Sequence, residues 1–259
     1  MIFSRRVALN GNYLDELHDA IVIRSLSDGY PEETENTVNR MGGVGQRVTD
    51  QHWEQLQVSV SFAILVQKTE LELRQEIFDL VKTWALQKGW LTFDHKPGKR
   101  MRVDKVILPA AGDLWNWTND FVITFIARNV PFWQQESPES VTIDTAMNVS
   151  RAVPVAGNVR TVLDMDFVNV SGMTISSLRI SVQGNTIQLN GFSLGNGQTL
   201  SINHGADGLL RITCNGSSIL HCRTEGSADD LYVDPGSRQV TINAQRSGRI
   251  TLSATGRYL

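Results

Sequence analysis

The sequence predicts an α+β unit, a mostly antiparallel sheet with one helix laid on it, followed by an all-β sandwich. Three observations predict it. A single convincing helical period lies at residues 70–88. Strict alternation of apolar and polar residues runs from Leu56 to Val66. After residue 140, short alternating runs are separated by close turns such as Gly184-Asn185, Gly195-Asn196-Gly197, Asn215-Gly216 and Pro235-Gly236.

In the first half, the chain turns polar at Asn10-Gly11-Asn12, after a short N-terminal strand. The stretch 28–50 is long, polar and glycine-rich, and carries Arg40 and Arg47. It reads either as a binding arm or as a disordered segment. The alternating strand follows at Leu56, Val58, Val60, Phe62, Ile64 and Val66. The helix has Leu73, Ile77, Leu80, Val81 and Trp84 on one face. Thr69-Glu70-Leu71-Glu72 resembles a capping box at its start, and Gly89 suits its left-handed end. Trp90 to Phe93, a turn at His95-Lys96-Pro97-Gly98, one strand through Val103 to Leu108, the loop 110–119 and a strand Phe121–Ala127 complete the unit. In the second half, strands are expected at 159–165, 173–181, 186–194, 198–203, 208–214, 218–223, 230–233, 238–244 and 248–254, the last two separated by a turn at Ser247-Gly248.

Composition places the boundary. All six tryptophans and all lysines precede residue 135, and 13 of the 21 glycines follow residue 139. Residues 1–139 hold 15 basic and 19 acidic side chains, a balance of −4, and residues 140–259 hold 9 and 8, a balance of +1. The polar, proline-containing run 134–140 separates a domain at 1–135 from one at 140–259. A total of −3 with pI near 6 argues against a protein whose main work is gripping nucleic acid. No apolar run of signal-peptide or membrane-spanning length is visible, so the chain is expected to be soluble and made in a cytoplasm, with no membrane insertion.

Catalytic constellations are scarce. His52-Trp53-Glu54 has the H-x-E of zinc deaminases without the downstream P-C-x-x-C. Gly42-Gly43-Val44-Gly45 lacks the following helix that a phosphate loop needs, and reads as a glycine-rich hairpin or loop. The acidic runs at 15–19 and 32–35 read as solvated surface. Asp164 and Asp166 share one strand face, a weak pointer to calcium. Cys214 and Cys222 flank a turn expected to hold four residues. That register sets Cys214 opposite Ile219, so two buried thiols are expected and no disulfide. His221 and Cys222, adjacent on an expected strand, would face opposite sides. Trp115 and Trp117 read either as core packing or as protein–protein anchors.

The order of these features resembles the distal tail protein (Dit) family of long-tailed phages. It is carried by the arm ending Gly42-Gly43-Val44-Gly45-Gln46-Arg47, the strand 56–66, the helix closing on Lys88-Gly89-Trp90-Leu91, the segment 97–103, and the close Asn129-Val130-Pro131-Phe132-Trp133. The stretch 230–242 resembles the galectin-like second domain of that family, with Arg238 standing where family members often carry Asn. The resemblance implies a split-barrel-like first domain and a homohexameric ring at the virion tail tip. The ring would join the tail tube protein to the tail-hub or fibre protein, and DNA would pass through it without specific binding. It brings no catalytic residues, metal or cofactor. Gly42, Gly43, Gly45, Arg47, Trp115 and Trp117 are then the candidate oligomer or partner contacts. Six copies at −3 carry −18, which would repel passing DNA if the acids face the lumen. The rival functions are a carbohydrate-binding module, which would need an exposed aromatic in a half that holds no tryptophan, and a wall-degrading hydrolase, which would need an acid pair or nucleophile.

Overall fold

A computed structural model describes residues 6–39, 46–67, 69–110, 120–205 and 207–259. The chain divides into two compact units, Met1–Trp133 with Leu259, and Gln134–Tyr258.

The strands of the first unit are β1 (Val7–Leu9), β2 (Asn12–Tyr13), β3 (Ile21–Asp28), β4 (Glu33–Asn39), β5 (Gln46–Trp53) and β6 (Leu56–Ile64). Helix α1 (Leu71–Leu86) precedes β7 (Gly89–Phe93), β8 (Lys99–Val103), β9 (Lys105–Ile107) and β10 (Phe121–Ala127), and β11 starts at Trp133 (Trp133–Gln135). One antiparallel sheet contains β2-β1-β7-β8 and another runs β3-β6-β10-β9. The alternation read in the sequence gives the second sheet its buried face: Leu56, Val58, Val60 and Phe62 on β6, and Phe121, Ile123 and Phe125 on β10. The single strand expected through 103–108 is broken at Asp104. There the carboxylate accepts the backbone N–H groups of Arg128 and Asn129, and β8 and β9 join different sheets.

Helix α1 differs from expectation at its start and on its face. Glu70 is the N-cap and makes no side-chain cap. Its carboxylate instead accepts from the N–H of Gln67. The buried face is Arg74, Ile77, Phe78, Val81, Trp84 and Ala85, with Leu80 exposed and Leu73 half-buried. Phe78 meets Phe121 and Trp84 meets Phe125 edge-on, so the aromatic residues decide the helix rotation. At the C-terminus, Lys88 and Gly89 both adopt positive φ. The Asn10 amide donates to the carbonyl of Lys88 and accepts from the N–H of Trp90. A Cβ at Gly89 would lie 2.1 Å from Asn10 Oδ1, so the position requires glycine.

The second unit is all-β: β12 (Ser140–Val155), β13 (Thr161–Asn169), β14 (Ile175–Val182), β15 (Asn185–Leu194), β16 (Thr199–His204), β17 (Leu210–Cys214), β18 (Ser217–Ser218), β19 (Tyr232–Val233), β20 (Gly236–Ala254) and β21 (Arg257–Tyr258). Two expectations are corrected here. Residues 238–254 form one strand with no turn at Ser247-Gly248, and β12 pairs with β20 along one edge. On its other edge β20 pairs first with β14, through Val240–Ala244, and then with β13, through Gly248–Ala254. A strand that changes partners midway passes from one layer of a sandwich to the other, and register shifts between Ile143 and Asn148 ease the bend. Both layers close on one cluster that includes Phe167, Leu178, Ile180, Ile202, Ile242 and Leu252.

Gly248 sits at this bend because nothing larger fits. A Cβ there would lie 2.3 Å from Cζ of Phe167. Gly248→Ala should destabilise the second unit by about 2 kcal/mol, the cost of overpacking a core, measured by urea unfolding. An unchanged midpoint would refute this reading of the bend.

The cysteine turn is shorter than expected. Cys214 pairs with Ser217 across a two-residue turn, Asn215-Gly216. His221 and Cys222 lie in a 3₁₀ turn, Leu220–Cys222, so the strand geometry expected for them does not apply. Cys214 and Cys222 are free and buried. At the Pro235-Gly236 turn, Arg238 donates to the carbonyls of Asp234 and Pro235 and so braces the turn itself.

Candidate assembly surface

The arm is a β-hairpin. β4 and β5 pair from Glu33↔Trp53 to Asn39↔Gln46, with a bulge between Asn36 and Thr37. They form a two-stranded sheet of their own among the described residues. Seven residues at strand rise give a stem about 23 Å long.

Its base is held firmly. Trp53 meets Phe132 edge-on at 5.5 Å between centroids. The N–H of Glu54 donates to the carbonyl of Glu32 at 2.7 Å, and Thr34 donates to the Glu54 carboxylate at 3.1 Å. The N–H of Gly29 donates to the carbonyl of Gln57, whose oxygen would lie 2.3 Å from any Cβ at that position. The hairpin thus continues the β3–β6 pair beyond the core.

Of the residues singled out from sequence, Gly42, Gly43, Gly45, Trp115 and Trp117 lie outside the described residues. Arg47 lies in β5, opposite Val38 in the hairpin register, and its side chain is also outside the description.

Two surface features of the first unit went unread in the sequence. The outer face of α1 carries a shallow groove lined by Leu71, Glu72, Gln75, Glu76, Asp79 and Leu80. Leu71 is 40% and Leu80 43% exposed. Gln75 donates to the Asp79 carboxylate at 3.1 Å. On β7–β8, the register sets Trp90 opposite Arg102 and Thr92 opposite Arg100. The guanidinium of Arg100 lies 4.0 Å from the Trp90 ring centroid and that of Arg102 5.5 Å. The core side of this hairpin is Leu91, Phe93, Met101 and Val103, so the arginine–tryptophan stack faces away from it.

In the second unit, Asp164 has a partner other than the suggested calcium. His204, 7% exposed in its side chain, lies between Asp164 Oδ1 at 2.7 Å from Nδ1 and Asp230 Oδ1 at 2.8 Å from Nε2. Burial opposes the charge on His204, but hydrogen bonds and the charges of the two aspartates outweigh it and push the pKa up to about 9. Asp166 accepts from Ser201 instead. Among the described residues no group of three or more His, Cys, Asp or Glu side chains could hold a metal ion. No described helix is long and apolar enough to cross a membrane. The Asp–His–Asp arrangement joins residues 26 to 66 positions apart, a juxtaposition that local sequence patterns do not show.

No family model matches the chain, and no curated protein matches it in sequence. Solved structures do. The crystal structure of the SPP1 Dit protein, described as a paradigm of the hub adsorption apparatus in phages infecting Gram-positive hosts, matches 99% of this chain and 100% of its own at TM-score 0.69 and 12% identity. The phage P2 baseplate in its activated conformation with Ca matches 98% of each chain at TM-score 0.48 and 10% identity. The same baseplate with Sr matches at TM-score 0.46 and 12% identity, over 96% of this chain and 98% of that one. The chain has a Dit-like fold over essentially its whole length.

Proposed function

We propose that this chain is a structural subunit of a phage tail tip, a distal tail protein that closes into a hexameric ring and catalyses no reaction. The observation that carries the reading is the likeness to the SPP1 hub protein along the full length of both chains, through both units. A likeness confined to one unit would fit a widespread building block.

A feature of the first unit supports ring closure. A closed ring needs a contact between two different surfaces of the same chain. A hairpin with a firm base, continued past its own core, supplies one such reaching element. Pairing with a neighbour would also cover hairpin edges that otherwise invite aggregation. In this reading residues 1–135 form the ring and residues 140–259 the appended galectin-like domain. The tail tube protein and the tail-hub or fibre protein are the partners on either side, and DNA crosses the lumen without specific binding. Arg47 lies on the reaching element, and Gly42, Gly43 and Gly45, which fall between its two strands in the sequence, are candidate contacts with it. Trp115 and Trp117 are candidate partner anchors.

Mass photometry at micromolar concentration tests this reading. The expected species is six copies of the 28.8 kDa chain. Monomers alone, persisting when the tube protein is added, would contradict it.

A further inference from the structure

We propose that neighbouring subunits meet by seating the Arg100–Trp90–Arg102 stack of one copy in the acidic, leucine-flanked groove on helix α1 of the next. This rests on the ring reading above and adds to the arm two further surfaces that meet between neighbours.

The two faces belong to different elements of the first unit. Helix α1 uses Phe78 and Trp84 to pack on β10, which leaves Leu71 and Leu80 outside. Glu72, Glu76 and Asp79 form a negative stripe along the outer face of the helix, and the exposed Leu71 and Leu80 flank it on either side. That combination rejects a second acidic helix and suits a cationic surface with an apolar body. The β7–β8 stack has this composition. Trp90 is half-buried, and two guanidinium groups lie against its ring. A guanidinium stacked on a ring keeps its positive charge, which carboxylates attract. Tryptophan and arginine are also the side chains most often dominant in protein interfaces. Because the two surfaces differ, the contact is head-to-tail, and repetition closes a ring. A chain with a balance of −3 would otherwise repel its own copies, so concentrating opposite charge at two faces gives the contact its direction.

Charge exchange tests the pairing. The variant carrying Glu72→Lys and Glu76→Lys should lose self-association by at least about a hundredfold, as should the variant carrying Arg100→Glu and Arg102→Glu. Mixed in equal amounts, the two should form rings of alternating subunits, because each then presents a face opposite in charge to its neighbour's. One chain with all four changes should assemble alone. Circular dichroism verifies that each variant is folded. Should the arginine variant unfold, the wild-type chain and Glu76→Gln give the same information. Raising salt from about 0.05 to 0.5 M should weaken wild-type assembly steeply and Glu76→Gln assembly less so. Wild-type rings indifferent to both exchanges, or to salt, would overturn this contact and leave the ring reading standing. So would folded variants that neither the mixture nor the fourfold change rescues. A wild-type chain that stays monomeric, with and without the tube protein, would overturn the ring reading itself.

Discussion

Alanine at position 204 should lower the stability of the second unit by about 3 kcal/mol, the cost of breaking a buried charge pair from one side. His204 ties the end of β16 to Asp164 on β13 and to Asp230 ahead of β19, with both ring nitrogens donating. Removing the imidazole leaves two carboxylates facing each other with their bridging charge gone. For a unit of this size the melting temperature should fall by about 10 °C. The wild-type chain should show a matching pH dependence. The folded pKa is raised from 6.5 to about 9. The stabilisation is therefore fully present below pH 6.5 and is lost as pH rises through 9. Arg257 lies within the influence of both aspartates and is pushed down by burial, so part of the electrostatic support survives the loss of the His204 charge. Thermal melts between pH 6 and 10 should slope downward in the wild type and flatten in His204→Ala. Parallel slopes would remove His204 from its assigned role.

The second large effect concerns the arm. Replacing residues 36–49 by a short glycine–serine turn should leave the first unit folded, because Trp53, Glu54 and Phe132 hold the hairpin base. Self-association should weaken by more than about a hundredfold, which corresponds to about 2.7 kcal/mol. Sedimentation equilibrium reads both the mass and the dissociation constant. Rings formed as readily by the shortened chain would show that the arm serves another partner.

Much of the fold was legible because local physics decided it. The strict alternation at 56–64 and 121–127 reflects sheets buried on one face, and the helix period at 71–86 reflects one side against aromatic residues. The glycine at 89 required positive φ, which the residue type announced. The arm was legible as polar and glycine-rich, with a hairpin or a loop both open at its glycines, since strands without a core face carry little alternation. For the same reason β12 escaped notice: residues 140–144 and 147–151 bury little, and the strand is held by pairing along β20. Ser247-Gly248 has the composition of a turn, yet Gly248 is there to admit the Phe167 ring.

Sites were less legible than elements. Leu80 fits the helical period as well as any core residue, and only the size of Phe78 and Trp84 turns it outward. The Trp90–Arg100–Arg102 stack depends on the β7–β8 register, which follows from the turn between them. The His204 cluster draws on three separate segments, and its members look ordinary one at a time.

Negative-stain imaging of the purified chain tests the central claim most directly, with tube protein added in a parallel sample. Class averages should display a sixfold ring with an open centre and a mobile or fixed lobe outside each subunit. Fields of single two-lobed particles in both samples would contradict it.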